Sequence, residues 1–211
     1  VFIGENVSDA TMNDAGENTG VGYEALSALT TGDENTAIGR GAGAAITTGG
    51  LNTAVGKYAL NDVNTGGNNV AVGRNSGAAI TTSSGSVFIG KDAGAVSVTG
   101  NQNIGIGLTA LGGAATTGDN NIAIGANAGD ALTTGHNNVI IGKNAGTELT
   151  TAKENVIIGA GAFQTANTSE NFNVIIGFNA AKLRDGGDHA VAIGHSALST
   201  MVAVDGNVAV G

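Results

Sequence analysis

The sequence predicts an all-β chain: a parallel β-solenoid, or β-roll, of about twelve short coils running as one continuous repeat array over residues 1–211. Three observations carry that expectation. A pentapeptide such as NTAIG, NVAVG or NVIIG recurs along the whole chain, and its last residue forms a glycine ladder from Gly4 and Gly22 to Gly194 and Gly211 at intervals of 17 or 18 residues. With 37 Gly, no Pro, no Trp, two Tyr and five Phe, the chain has too few bulky side chains for a broad globular core. Helix pairs and propeller blades repeat at about 34 and 40 residues, so a period this short leaves stacked coils.

Each part of the repeat has its own signature. The residue before every ladder glycine is Ile or Val, and from Thr19 onward the residue two earlier is Thr, Val or Ile. Alternate residues of a strand share a face, and β-branched side chains favour the extended conformation. This face is expected to be the interior, with a core file of Ile38, Val55, Val72, Ile89, Ile106, Ile124, Ile141, Ile158, Ile176 and Ile193. Three residues after the glycine a small residue recurs, as at Ala42 and Ala145, followed by an apolar one such as Leu29, Ile46, Ile80, Leu132 or Leu149, a second buried set. A Thr-Thr-Gly segment and a polar cluster then supply turn chemistry. Asn opens nearly every pentapeptide: Asn35, Asn52, Asn69, Asn103, Asn121, Asn138, Asn155 and Asn173 are expected to stack as an amide ladder from coil to coil.

The residue between the two β-branched positions is expected to face outward, where a free rod carries polar side chains. It is instead Ala37, Ala54, Ala71, Phe88, Gly105, Ala123, Ile140, Ile157, Ile175 and Ala192. A continuous apolar stripe implies a partner surface, and the simplest partner is another copy of the chain. These residues are therefore the expected inter-chain interface.

Charge narrows the function classes. The net charge is −9 and only 12% of residues are charged, which argues against nucleic acid as a partner because phosphate binding needs clustered Lys and Arg. Even so, Arg40, Lys57, Arg74 and Lys91 occupy the position after the ladder glycine in four consecutive coils. That column is either a solvated charged file or a contact for an anionic glycan. There is no Cys, no apolar run of 18 residues and no signal-peptide pattern, and both ends read as cuts through a longer repeat.

No catalytic, cofactor or metal site is expected. Near matches to a dinucleotide fingerprint, as at Gly39, Gly41 and Ala44, fall inside the repeat and open no helix. His136, His189 and His195 lack ligand spacing for zinc. Asp185 to Asp188 offer a few oxygens but no calcium-binding repeat. Carboxylates such as Asp33, Glu34 and Asp92 sit at turns with no partner to converge on, so the expectation is that the chain is not an enzyme.

The pentapeptides, above all the segment HAVAIGHSAL from His189 to Leu198, resemble the NSVAIG-type head repeats of YadA-like trimeric autotransporter adhesins and the similar NTAIG repeats of phage tail fibres. The resemblance covers the whole chain, although the adhesin repeats are shorter and the extra residues here sit in the Thr-Thr-Gly turn. It implies a left-handed β-roll, three chains side by side, and a role in attachment, outside the cell or on a virion. Carried over, the Val and Ile flanking Ala192 are core and Ala192 faces the neighbouring chains. Implied partners are two further copies, adjoining fibre segments, and a cell-surface glycan or protein receptor, with no membrane span in this segment. A rival reading is an ice-binding β-solenoid using its Thr-rich turns, against which the Thr pair lapses at Asn64 with Thr65, Val98 with Thr99, and Asn167 with Thr168.

Overall fold

A computed structural model describes residues 1–8, 10, 13–165, 170–183, 187–200 and 205–211. Thirteen short strands, from Phe2–Ile3 and Thr19–Val21 to Val191–Ile193 and Val208–Val210, pair in sequence order as one parallel sheet. Register never slips. Thr36, Ala37 and Ile38 lie opposite Thr53, Ala54 and Val55, and Ile104 still lies opposite Ile122 across an 18-residue repeat, so the extra residue is absorbed outside the strand. The remainder of each coil stacks likewise, with Leu26 N–H donating to the Ala42 carbonyl at 3.1 Å and Ala28 N–H to that of Ala44 at 3.0 Å. The chain is thus an all-β parallel solenoid in which each coil contacts only its neighbours.

The ladder glycines hold the coils at this spacing. Their φ values lie near +130°, and a Cβ on Gly142 would sit 2.4 Å from the Gly159 carbonyl oxygen, with the same conflict at Gly56 and Gly73 at 2.5 Å. Only a residue without a side chain permits that approach in that conformation. Other corners are turned by residues in the left-handed region, among them Glu34, Asn75, Asp92 and Asn144, where Asn and Asp are the least strained non-glycine choices.

The interior assignment is the reverse of the sequence expectation. Ala37, Ala54, Ala71, Phe88, Ala123, Ile140, Ile157, Ile175 and Ala192 are fully enclosed within their own chain, and none is available to a neighbouring one. The expected core file points outward: Ile38, Val72, Ile89 and Ile193 are 42, 37, 39 and 37% exposed, while Val55, Ile106, Ile124, Ile141, Ile158 and Ile176 are partly exposed. The physical reason is space. The lumen between the sheet and the second half of each coil already holds Ala25, Leu26, Leu29, Ala42, Ile46, Leu60 and their equivalents, all fully buried. One residue per strand fills what remains, and two files of β-branched side chains do not fit.

In some coils a bulky middle residue packs on a glycine four residues beyond the ladder glycine, Phe88 on Gly94 and Ile140 on Gly146, whereas Ile157 shares its coil with the equally bulky Phe163 and Ala37 with Gly43. The fit around Phe88 is close on all sides. A Cβ on Gly94 would lie 2.3 Å from the Phe88 ring, one on Gly105 2.9 Å from it and one on Gly77 3.2 Å from it. Small residues there complement a large one, the packing that sustains interior density without voids.

Candidate interaction surface

Since the middle residues face inward, the two β-branched residues of every strand form the outer face of the sheet. One file begins Thr19, Thr36, Thr53 and continues as Val or Ile to Val208; the other runs from Val21 through Ile38 and Ile141 to Val210. No charged side chain interrupts either file. Taking on the order of 100 Å² of exposed apolar surface per coil, the face approaches roughly 1,000 Å², beyond the roughly 300–600 Å² that is the largest patch on a typical monomer.

The two edges of this face differ chemically. After the ladder glycine come Tyr23, Arg40, Lys57, Arg74, Lys91, Leu108, Lys143, Phe178 and His195, all exposed. The Arg40 guanidinium lies 5.4 Å from the Tyr23 ring centre and 5.9 Å from that of Tyr58, and Lys57 Nζ lies 4.9 Å from the Tyr58 centre. The Tyr23 hydroxyl is raised above its ordinary pKa by its hydrogen bond to Glu24 and by that carboxylate's charge. Lys91 pairs with Asp92 at 3.3 Å, and Asp92 also accepts from Asn75 at 2.8 Å. The opposite edge, just before each Asn, carries Glu17, Glu34, Leu51, Asn68, Gly85 and Gln102 in the first coils, and Phe172 and His189 further on. Phe172 stacks on His189 at 5.0 Å and Phe178 on His195 at 5.4 Å, so an aromatic–imidazole pair brackets the strands Val174–Ile176 and Val191–Ile193 on each side.

The asparagines form an interior column. Asn52 Oδ1 accepts from Asn69 N–H at 3.0 Å and from its Nδ2 at 3.1 Å, and Asn69 Nδ2 also donates to the Ser83 carbonyl at 2.8 Å. The same pattern links Asn18 to Asn35 and Asn121 through Asn138 and Asn155 to Asn173. Ser86 carries the column by its hydroxyl, accepting from Asn103 N–H at 3.2 Å, and at Ala190 only the backbone N–H takes part, donating to Asn173 Oδ1 at 2.8 Å. Fully buried and mutually bonded, these amides have nothing left to offer a ligand.

A second ladder had no counterpart in the sequence reading. Side chains two residues before the Asn, or before Ala190 in its place, cap the backbone of the preceding coil: Asp33, Asp119, Asp188 and Asp205 accept from the N–H groups of Gly16, Asn101, Asn171 and Asp188 at 2.6, 2.6, 2.7 and 2.9 Å. Asp188 is therefore engaged in a turn, while Asp185 and Gly186 lie outside the described residues. The turn threonines divide in two. Thr30, Thr81 and Thr133 hydroxyls donate to carbonyls of the next coil at 3.0, 3.2 and 2.9 Å, whereas Thr31, Thr48, Thr65, Thr82, Thr99, Thr117, Thr134 and Thr151 form an unbroken exposed file. Thr168, the next member of that file, lies outside the described residues, as does Asn167.

Among the described residues no group of three His, Asp or Glu side chains is placed to hold a metal ion, and no helix is long and apolar enough to cross a membrane. A shallow polar groove lined by Thr134, His136, Thr151, Lys153, Asp188 and Asp205 follows the turn edge. No family model matches the chain, and neither does any curated protein or solved structure.

Proposed function

We propose that this chain is a structural and adhesive segment of an extracellular or virion fibre, of the kind found in trimeric adhesins or phage tail fibres, and that it assembles with two further copies of itself through the outer sheet face. The observation that carries this reading is the double file of β-branched residues on the outer face, uncharged from Thr19 to Val210 and apolar in both files from Val70 onward. Its extent exceeds the largest apolar patch of a typical monomer, the mark of a surface that a partner covers. A solenoid of thin coils has nowhere else to bury it. Three copies about a common axis cover every face with closed symmetry while keeping the rods parallel, as a fibre requires, and the resemblance of the repeats points to the same number. The motif resemblance also supports the attachment role, with adjoining fibre segments and a cell-surface receptor as partners.

The test is the oligomeric state. Sedimentation of the native chain gives a trimer, and the triple change Ile141→Glu, Ile158→Glu and Ile176→Glu gives a folded monomer, because these side chains point away from each chain's own core. A native chain that sediments as a well-folded monomer contradicts the proposal.

A second reading, ice binding, is favoured by one observation: the exposed file of eight threonines on the turn edge. It is a single file beside hydroxyls already committed to carbonyls, whereas the apolar face spans two files and the whole rod. Absence of thermal hysteresis retires it.

A further inference from the structure

We propose that Arg40, Lys57, Arg74 and Lys91, braced by Tyr23 and Tyr58, form a binding site for a linear acidic polysaccharide lying along the rod axis. The proposal deepens the attachment reading and rests on it for biological context, but the site itself is argued from local chemistry.

The first ground is concentration. The chain has eight Lys and Arg in a net charge of −9, and four of them stand in one file on four successive coils. Both of its tyrosines touch that file. Strand spacing of about 4.8 Å places the four charges on a line about 14 Å long. Like charges at that spacing repel, and a solenoid surface offers many positions that would separate them.

The second ground is the absence of an internal solution. Lys91 has Asp92, but no carboxylate of the described residues lies within ion-pair distance of Arg40, Lys57 or Arg74. A second copy of the chain does not supply the missing charge either. At the same height, the opposite edge of the sheet face presents Glu34, Leu51, Asn68 and Gly85, so an in-register neighbour neutralises one cation of four. The file calls for a ligand that brings its own row of anions.

The third ground is the role of the tyrosines. Arg40 lies against both rings and Lys57 against Tyr58, which orders two long side chains that otherwise lose rotamer freedom on binding. The same contacts occupy ring faces. Single-stranded nucleic acid needs such faces open for base stacking, so the arrangement selects for charge on a line rather than for bases. A polysaccharide bearing a carboxylate or sulfate on successive units meets that requirement.

Binding of the assembled protein to heparin and to polygalacturonate tests the proposal, with neutral dextran and oligo(dT) as comparisons. The variant Arg74→Gln with Lys91→Gln lies outside the aromatic brace and the sheet face; Lys153→Gln with Lys182→Gln removes the same charge elsewhere. At least one acidic polysaccharide binds the native protein, the file variant weakens it tenfold or more, and the slope of log K against log salt drops by nearly two; the control pair leaves both within twofold. Tyr23→Leu with Tyr58→Leu weakens it several-fold without changing that slope. The proposal is overturned if neither polysaccharide binds, if the two charge-removing pairs weaken binding equally, or if dextran or oligo(dT) binds as tightly. Sedimentation of the same samples separates the two readings: a monomer whose polysaccharide binding depends on the file keeps the site and sinks the fibre assembly, whereas a trimer without binding does the reverse.

Discussion

Ile140 and Ile141 are neighbours in one strand, identical in side chain and opposite in circumstance. Ile140 is enclosed in the lumen against Gly129 and Gly146, and Ile141 stands on the outer face of the sheet. The inner file of this protein is heterogeneous, ranging through Gly, Ala, Phe and Ile, and Phe88 and Ile140 pack there on glycines across the lumen. The outer file to which Ile141 belongs is monotonous, always Val or Ile from Val21 to Val210. Within one strand, then, the varied position faces the core and the uniform one faces out.

The sharpest way to break that comparison is to place the same charge on each side. Ile140→Asp puts a carboxyl without partners into a dry lumen in place of a bulkier apolar side chain, which should destabilise the surrounding coils by about 4 kcal/mol or more. Ile141→Asp should leave the stability of the single chain within about 1 kcal/mol while weakening self-association. Hydrogen exchange resolved along the chain reads the first effect as lost protection in the coils around Val139–Ile141, since a repeat array unfolds locally. Equal damage from the two variants in a monomeric background would abolish the distinction.

A smaller effect probes the amide column that stands beside the inner file. Asn138 Oδ1 accepts from Asn155 N–H at 3.1 Å and from its Nδ2 at 3.0 Å, and Asn138 Nδ2 donates to the Ala152 carbonyl at 2.8 Å. Asn138→Ala leaves these buried groups unpaired and should cost about 2–3 kcal/mol. Chemical denaturation with the same exchange readout checks it, and a loss below about 0.5 kcal/mol would show that water repairs the gap.

The smallest effect concerns Asp130, a half-buried carboxyl raised above its ordinary value of 3.8 by burial, partly offset by a hydrogen bond from the Gly113 backbone. A raised folded-state value means that ionisation opposes folding. The penalty is absent below pH 3.8, sets in as pH rises toward the folded-state value, and is complete above it. Asp130→Asn should therefore raise the melting temperature slightly at pH 7 and leave it unchanged near pH 3. A gain at pH 3 as large as at pH 7 would assign the effect to something other than this titration.

The inversion of inner and outer faces was legible in one feature that pattern counting passed over. Asn35, which immediately precedes the strand Thr36–Ile38, and Ala37 are two apart along extended chain and so share a face. If the asparagines form a buried column, the middle residues are inside with them and Ile38 is out. The pairing of bulky Phe88 with Gly94, or of Ile140 with Gly146, carries the same message. The basic file was visible as spacing alone, but that Tyr23 and Tyr58 brace it depends on corner geometry, since Tyr58 stands two residues past its ladder glycine in the left-handed region.

By itself the sequence determined the coil: its period, the parallel in-register strands, the glycine ladder and the stacked amides all follow from short-range repetition and from backbone sterics that only glycine relieves. Its hydropathy could not determine which face of each strand closes the lumen, because both faces are apolar and hydropathy distinguishes inside from outside only when one side is polar. That choice belongs to the tertiary structure. Beside the buried second half of each coil the lumen takes one residue of each strand, and the middle residue, on the same face as the buried Asn, is the one that turns inward.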